Sequence, residues 1–280
     1  MRPLLQPLPT AADAGLDAIR AAERAGVRVA ELHEIAGMHQ AAALFIDIWR
    51  TAVEDAPCTP QLMRALAHSG NYVAAAWLDG RLVGAAVAFL HPGTEGLALH
   101  SHITGVADAV QGRGVGLALK QHQRAWALAR GIARINWTFD PLVRRNAWFN
   151  LVKLGAEGVE YLPSFYGPMA DGINAGDETD RCLIVWRLDS ERARAAAAAG
   201  GPEPSLEALR AAGAAVILAE GPAGRAPPGP PATARGRCWP GCRRTWWRCG
   251  PPTGRWRCSG GGRCGARWAG RWAVASSPPV

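Results

Sequence analysis

Cysteine is scarce in the first 220 residues, which contain only Cys58 and Cys182. Two cysteines cannot build the disulfide framework of a secreted protein, so we expect a reducing, cytoplasmic location. The sequence also lacks any run of 18 apolar residues, and residues 1–10 have no long apolar core. We therefore expect neither a transmembrane helix nor a secretory signal peptide, and no membrane partner.

Acidic residues are absent from residues 221–280. This segment has 11 Arg, no Lys, and no Leu, Ile, Phe or Tyr. It accounts for the net charge of +8, because residues 1–220 contain 20 basic and 23 acidic side chains. A segment without aliphatic periodicity cannot form a hydrophobic core. We therefore expect a low-complexity tail rich in Arg, Gly, Pro, Trp and Cys, which is either disordered or the product of a shifted reading frame.

Two functional interpretations of this tail stay open. Arg interleaved with Trp can bind nucleic acid through charge and base stacking. Its cysteines offer thiolates to zinc, but they form no C-x-x-C pair and no histidine lies nearby. The five cysteines are Cys238, Cys242, Cys249, Cys258 and Cys264. On balance we expect neither a nucleic-acid partner nor a bound metal.

The most informative stretch is a strand, a glycine-rich turn and a helix between residues 97 and 130. The strand is expected over Leu97–Val106, and the turn reads Gln111-Gly-Arg-Gly-Val-Gly116. The first turn of a helix presents amides without intrahelical partners and the positive end of the helix dipole. Glycine at 112, 114 and 116 removes side chains that would keep a diphosphate away from those amides. Arg113 and Lys120 are expected to add charge at the rim.

This turn matches neither common nucleotide-binding motif. Leu119 stands where the dinucleotide fingerprint needs its third glycine, and no Walker-type G-K-[ST] is present. The pattern Q-x-x-G-x-G, formed by Gln111, Gly114 and Gly116, resembles the GNAT superfamily of acyl-CoA-dependent N-acyltransferases. In that superfamily the motif follows the fourth strand, and its amides wrap the pyrophosphate of coenzyme A.

A second segment carries the same resemblance. A buried strand is expected over Ile132–Phe139 and a helix over Val143–Leu154, ended by Gly155. The helix resembles the N…A…Y-x-K-x-G-F segment of the superfamily, which packs beside the pantetheine arm. It differs at Leu151, where the superfamily often has a tyrosine proposed to protonate the leaving thiolate. That role therefore passes to another residue, to water or to no group.

The order of expected elements matches the fold of that superfamily over residues 27–189. The resemblance implies an α/β (α+β) fold: a central mixed, mostly antiparallel sheet, flanked by helices and splayed at strands 4 and 5. Residues 1–26 are expected to form a leader with one helix, residues 190–220 a helix–helix–strand extension, and residues 221–280 the tail. The further elements are strands at Val27–His33, Tyr72–Leu78, Arg81–Leu90 and Arg181–Leu188, and helices at His39–Val53 and Thr59–His68.

The resemblance implies a cofactor site along the end of the fourth strand, the turn and the later helix. The backbone N–H near Val106 is the candidate to polarise the thioester carbonyl, and Asn146 and Asn150 are candidates to hold pantetheine or substrate. The expected acyl-CoA contacts are Val106, Gln111, Gly112, Arg113, Gly114, Val115, Gly116, Leu117, Asn146 and Asn150.

Candidate catalytic residues come from the fourth strand and from a polar loop. His100, His102 and Thr104 alternate along the strand and should share one face, with Leu99, Ile103 and Gly105 on the other. Histidine titrates near neutrality, so it suits a base, and we choose His102 as closer to the cleft. The alternative is that both imidazoles are packed or surface side chains.

The loop over residues 161–181 supplies further candidates. Tyr166 could replace the missing acid, and Asp171, Asn174 and Asp180 could line an acceptor pocket. Asn146, on the helix expected over Val143–Leu154, is also a candidate for the active site. The alternative is a structural loop that uses Asn and Asp for turns.

The resemblance implies an acyltransferase that moves an acyl group, by default acetyl, from acyl-CoA to an unidentified amine by direct attack in a ternary complex. Acetyl-CoA is then a co-substrate, and no metal is needed. Because of Leu151, a non-catalytic acyl-CoA-binding module of the same fold is an alternative. A nucleic-acid-associated protein acting through its basic tail is another, and a homodimer is left open.

Overall fold

A computed structural model describes residues 8, 10–93, 95–167 and 179–199, together with residues 207 and 211 and segments 256–258 and 262–264. The helices are α1 (Ala11–Ala25), α2 (Ile35–Trp49), α3 (Pro60–His68), α4 (Val115–Leu128), α5 (Arg144–Trp148) and α6 (Glu191–Ala199). The strands of the main sheet are β1 (Arg28–Glu31), β2 (Tyr72–Leu78), β3 (Arg81–Gly93), β4 (Gly96–Val106), β5 (Arg134–Phe139), β6 (Glu157–Leu162) and β7 (Arg181–Arg187). A separate antiparallel pair joins β8 (Trp256–Cys258) to β9 (Gly262–Cys264).

The main sheet has seven strands in the order β1-β2-β3-β4-β5-β7-β6. All neighbours are antiparallel except β4 and β5, which run parallel. These two strands pair only at Leu99 with Ile135 and at His100 with Asn136, and beyond that point they separate. The expected mixed, mostly antiparallel sheet with splayed fourth and fifth strands is therefore confirmed.

Helices cover the two faces of this sheet, and each face has its own apolar cluster. On the α4 face, α1 and α4 pack on side chains such as Tyr72, Leu99 and Ile135. On the α2 face, α2 and α3 pack on Val73 and Val87. Alternate residues of β2 enter opposite clusters, as the two-residue period of a strand requires. No helix in the described ranges is long and apolar enough to cross a membrane.

The structure confirms local features whose signals lie close together in the sequence. Asp79 (φ 49°) and Gly80 (φ 76°) form the tight turn between β2 and β3, where two left-handed residues match the twist of a hairpin. Thr59 caps α3, because its hydroxyl accepts a hydrogen bond of 3.2 Å from the amide of Leu62. The helix expected after residue 190 corresponds to α6.

Two elements differ from the prediction. Strand β6 was not expected, and it pairs antiparallel with β7 at the edge of the sheet. Its side chains are only half-buried or exposed, so the sequence gives a weak alternation there. The helix expected over Val143–Leu154 is an α-helix only to Trp148 and continues as a π turn over Phe149–Lys153. Gly155 (φ 69°) follows it.

Helix α1, inside the expected leader, contributes to the core. Ala14, Ala21 and Ala25 are buried in the cluster on the α4 face. Nη1 of the fully buried Arg124 on α4 donates a hydrogen bond of 3.1 Å to the carboxylate of Asp17. The helix and strand expected between residues 205 and 219 lie outside the described residues, apart from residues 207 and 211. The expected tail lies outside them too, apart from β8 and β9.

Candidate active site

A β-bulge in β4 changes which face each of its side chains occupies. Ile103 pairs with Val87 and Ser101 pairs with the next residue, Ala88, so His102 is the extra residue on β4. One extra residue reverses the alternation of all side chains beyond it. The prediction that Thr104 shares a face with His100 and His102 is therefore wrong.

The two sides of the bulge can be followed from their contacts. Before it, Leu99 is buried in the cluster on the α4 face, whereas His100 stacks on Phe89. After it, Ile103 packs on the α2 face, and a Cβ on Gly105 would lie 2.8 Å from Cδ1 of Ile48. The prediction that Ile103 and Gly105 share a face with Leu99 is wrong for the same reason.

The glycine-rich turn gives α4 an open N-terminus. Gly112 (φ 82°) and Gly114 (φ 90°) adopt left-handed conformations that a residue with a Cβ rarely takes. Gly114 is the N-cap, and the first bond of the helix runs from the amide of Ala118 to the carbonyl of Gly114 at 3.0 Å. The amides of Val115, Gly116 and Leu117 therefore precede the helical ladder and are available to an anion.

The third glycine of the turn has a different environment. A Cβ on Gly116 would lie 3.8 Å from Cγ2 of Val106 and 4.0 Å from Cζ of Phe149, which is ordinary contact. Its side-chain position therefore faces the protein, and its φ is not in the left-handed region. Glycine is required by the backbone conformation at residues 112 and 114 but not at residue 116.

The rim of the turn has one of the two expected cations. Arg113 is exposed, and its Nη2 lies 3.7 Å from the position of a Cβ on Gly26. Gln111 donates a hydrogen bond to the carboxylate of Asp108 and accepts one from Arg145. These contacts fix the start of the turn beside α5.

Lys120 is not at the rim, so that prediction is wrong. It is buried, because position 120 of α4 faces the sheet. Its ammonium donates hydrogen bonds to Oγ of Ser101 at 2.7 Å and to Oε1 of Gln123 at 3.2 Å. It also lies 4.2 Å from the centroid of the Trp137 ring. Burial lowers the pKa of Lys120 to about 7.

The two histidines of β4 lie on the α2 face around Phe89. The ring of His100 stacks on Phe89 with centroids 4.9 Å apart, and the ring of His102 lies 6.1 Å from it. Nδ1 of His100 lies 2.9 Å from Oδ1 of Asn136, whose Nδ2 lies 3.0 Å from Nε2 of His91. Partial burial lowers the pKa of both His100 and His102 from the ordinary value of 6.5. Both imidazoles are therefore neutral at pH 7 and can accept a proton.

Tyr166 contacts the side of β5 from which Asn136 reaches His100. Its hydroxyl lies 3.1 Å from Oγ1 of Thr138, and the Arg181 guanidinium lies 5.3 Å from the centroid of its ring. Thr138 is two residues after Asn136, so both face the same way from the strand. Tyr166 and His100 therefore both contact side chains on the same face of β5, although they are far apart in the sequence.

The remaining candidates are in the later helix. Asn146 is half-buried, and Asn150 is buried within the π turn. The continuous α-helix expected to carry both residues is interrupted by that turn. Leu151 is half-buried, packs against the cluster on the α4 face, and accepts a hydrogen bond of 2.7 Å from Arg192 at its carbonyl. Its position therefore has no group that could donate a proton from a side chain.

The polar loop is only partly described. The carboxylate of Asp180 accepts hydrogen bonds from the hydroxyl of Tyr161 and from the amide of Ser164, the latter at 2.7 Å. These contacts hold a turn, as the alternative interpretation of the loop states. Asp171 and Asn174 lie outside the described residues. Within the described ranges, no three His, Cys, Asp or Glu side chains are grouped so as to hold a metal ion.

His91 and Asn136, which the structure brings together with His100, were not among the candidates predicted from the sequence. Asn136 and Thr138 alternate with the buried Ile135 and Trp137 along β5. This alternation was a usable signal, because a strand buried on both faces rarely carries two polar residues on one side. His91 offered no comparable signal, since β3 was expected to end at Leu90.

Residues 18–154, just under half of the chain, match the model of the acetyltransferase (GNAT) family. The matched segment contains the glycine-rich turn, the splayed strands and α5. A comparison with curated proteins found no match.

Three solved acetyltransferase structures align with 57–59% of this chain. Naa50 from Arabidopsis thaliana, in complex with a bisubstrate analogue, is 16% identical, with 57% of this chain and 97% of that chain covered and a TM-score of 0.46. The ribosomal-protein-S18-alanine N-acetyltransferase from Escherichia coli is 13% identical, with 59% and 95% covered and a TM-score of 0.46. An acetyltransferase from Salmonella typhimurium with its cofactor acetyl-CoA is 16% identical, with 59% and 95% covered and a TM-score of 0.47.

Proposed function

We propose that the protein transfers an acetyl group from acetyl-CoA to an amine, by direct attack of the amine in a ternary complex. The observation that carries this proposal is the open N-terminus of α4, which directly follows the strand that separates from β5. An anion cradle and a gap between parallel strands are thereby neighbours in one protein. The match of residues 18–154 to the GNAT family supports acyl transfer in general, and the acetyl group, the amine and the catalytic residues are parts of the proposal.

The residues present fit the diphosphate of coenzyme A. Gly112 and Gly114 adopt left-handed conformations that residues with a Cβ rarely take, and among the described residues beyond its chain neighbours no atom lies within 4 Å of the position of a Cβ on Gly112. The free amides of α4 and the exposed Arg113 supply positive potential, which favours a bound anion. We assign the diphosphate to the amides of residues 112–117, with Gln111 holding the start of the turn.

The thioester supplies an activated acyl group, and the tasks of the protein are positioning, polarising the carbonyl and removing one proton. We assign the backbone amide of Val106 to polarising the thioester carbonyl. Asn146 and Asn150 are assigned to hold the pantetheine arm or the acceptor. Tyr166 is our candidate for the acid, because Leu151 cannot serve. The base is assigned to the β4 histidines, of which His102 is the choice made from the sequence.

Calorimetric titration of the full chain with acetyl-CoA tests this proposal, with free pantetheine as a matched ligand that lacks the diphosphate. We expect heat and a rise in melting temperature with acetyl-CoA, and neither with pantetheine at the same concentration. A thiol-release assay over a panel of amines then tests turnover. The absence of both heat and melting shift with acetyl-CoA would remove the enzymatic assignment.

Leu151 favours one second candidate, a non-catalytic acyl-CoA-binding module. The same assays separate the two, since binding of acetyl-CoA without thiol release on any amine supports the module. The cytoplasmic location, which rests on the low cysteine content of residues 1–220, stays a prediction, as does a homodimer.

A further inference from the structure

Four groups on β3, β4 and β5 form a chain of hydrogen bonds that ends at His100. Nδ1 of His91 lies 2.9 Å from the carbonyl oxygen of Pro92, and Nε2 of His91 lies 3.0 Å from Nδ2 of Asn136. Oδ1 of Asn136 lies 2.9 Å from Nδ1 of His100. Each contact has normal hydrogen-bond length.

The carbonyl of Pro92 gives this chain its direction. A carbonyl oxygen only accepts, so Nδ1 of His91 carries a hydrogen, and Nε2 of a neutral imidazole is then an acceptor. The amide nitrogen of Asn136 only donates, and it donates to that Nε2. The amide oxygen of Asn136 only accepts, so Nδ1 of His100 must donate to it. Neutral His100 is therefore an Nδ1–H tautomer, whose lone pair lies on Nε2.

The position of His100 matches the place where a base is needed. His100 and Asn136 form the last pair between the parallel strands β4 and β5, at the closed end of the gap. Phe89 stacks on the imidazole at an interplanar angle of 29° and restricts its rotation. Among the described residues, Nε2 of His100 has no hydrogen-bond partner, whereas Nδ1 is held.

We propose that His100 accepts the proton of the attacking amine at Nε2, and that Asn136 and His91 are positioning residues that hold it in the required tautomer. The inference rests on the proposed function and replaces His102 as the choice for the base. It also assigns roles to two residues that the glycine-rich turn and the later helix do not involve.

The step is balanced without any further reactant. The lone pair of the amine nitrogen forms a bond to the carbonyl carbon, and the carbon–sulfur bond breaks with its electron pair on sulfur. The proton leaving nitrogen passes to Nε2 of His100. The resulting imidazolium returns the proton to solvent, and the thiolate takes a proton from solvent or from the Tyr166 hydroxyl, which then regains a proton from solvent. The products are an amide, a thiol, neutral His100 and neutral Tyr166.

Burial and repulsion together favour the neutral form of His100. Burial lowers its pKa most, and His102 on β4, His91 on β3 and Lys120 on α4 lower it further when they are protonated. The hydrogen bond with Asn136 acts in the opposite direction. A base must be neutral to accept a proton, so activity should fall as pH decreases through this pKa, below pH 6.5.

The tautomer is tested first, without substrate. Long-range ¹H–¹⁵N spectra of the histidine side chains of the full chain distinguish the two tautomers, and the signals missing from His100→Gln identify His100. We expect the Nδ1–H form in the wild type and a mixture or the Nε2–H form in His91→Leu, in which the Asn136 amide is free to turn over. A wild-type His100 in the Nε2–H form would overturn the proposal.

The catalytic role is tested by kinetics on the best amine of the panel. His100→Gln should lower kcat by about 10²–10⁴-fold, the usual contribution of a general base, and change the Kd of acetyl-CoA less than about threefold. His68→Gln, at the exposed end of α3, is the matched control and should keep kcat. If His102→Gln abolishes turnover and His100→Gln keeps it, His102 is the base and the proposal is overturned.

Asn136→Asp separates a positioning role from a merely structural one. A carboxylate still accepts from Nδ1 of His100, but its charge favours the imidazolium and raises the pKa of His100. The acid limb of kcat/KM should therefore move to higher pH, with folding retained. A variant that folds and turns over with an unmoved acid limb overturns the role of Asn136.

Failure of the function and failure of this inference give different results. If acetyl-CoA binds and amines are acetylated while His100→Gln stays fully active, only the inference falls. If no amine is acetylated, the proposed function and the catalytic role of His100 both fall, and the tautomer spectrum still decides whether the hydrogen-bond chain exists.

Discussion

Lys120 on α4 donates a hydrogen bond of 2.7 Å to the hydroxyl of Ser101 on β4, one residue beyond the last pair of β4 with β5. The same ammonium lies over the ring of Trp137 on β5. One buried side chain therefore contacts both strands at the point where they separate. Its burial lowers the pKa from 10.5 to about 7, so the charge is costly in the folded state.

Lys120→Met should change how the free energy of unfolding depends on pH. In the wild type the cost of the charge is fully present below pH 7. Between about pH 7 and 10.5 the unfolded chain binds more protons than the folded one, so wild-type stability rises with pH. Methionine keeps the apolar stem without the amine. The stability of the variant relative to the wild type should thus decrease by about 2 kcal/mol from pH 7 to pH 9.

Denaturant unfolding of both proteins at several pH values measures this difference. Lys153→Met is the matched control, because Lys153 is the only other lysine of the chain and is half-buried in the π turn. Only the change for Lys120→Met beyond that for Lys153→Met is assigned to burial of the amine. An equal change in both variants would show that the buried amine titrates normally.

Gly114→Asp should weaken acetyl-CoA binding by about 100-fold, or roughly 3 kcal/mol. The new carboxylate would lie at the N-terminus of α4, beside Ala25 of α1, and its negative charge would oppose that of the diphosphate. Gly70→Asp is the control, because Gly70 (φ 80°) has the same left-handed strain as Gly114 (φ 90°) but lies between α3 and β2. Calorimetry at matched folded fraction gives the two affinities. Equal losses in the two variants would mean that strain, and not the carboxylate, weakens binding.

Gly116→Ala should leave the fold intact and stabilise it by up to about 1 kcal/mol, because alanine has a better helix propensity than glycine. The new methyl group would contact Val106 and Phe149 at ordinary distances. Thermal unfolding measures the effect, and the loss of acetyl-CoA affinity should be smaller than for Gly114→Asp. A destabilised Gly116→Ala protein would show that a methyl group at this position does not fit beside Val106 and Phe149.

Asp17→Ala should destabilise the protein by about 3–5 kcal/mol, because it leaves the buried guanidinium of Arg124 without its carboxylate. Asp13→Ala, on an exposed position of the same helix, is the control and should cost less than about 1 kcal/mol. Denaturant midpoints compare the two. Similar small losses would mean that α1 contributes little to the stability of the sheet and α4.

The sequence by itself determined the features that neighbouring residues encode. The Asp79-Gly80 turn, the Thr59 cap and the glycine-rich start of α4 depend on backbone conformations that few residue types adopt, so a few letters suffice to predict them. Apart from β6, the order of strands and helices in the main sheet was predictable for a similar reason, since hydrophobic periods of two and of 3.6 residues differ along the chain.

Only the tertiary structure decided which side chains meet. The bulge at His102 results from the register of β4 against β3, and it exchanged the faces of Thr104 and Ile103. Lys120 was expected at the rim because lysine is usually solvated, but the packing of α4 turned that position onto the sheet. His91, Asn136 and His100 come from three strands, and their hydrogen bonds exist only because pairing across long sequence distances brings those strands together. A local pattern does not contain that pairing.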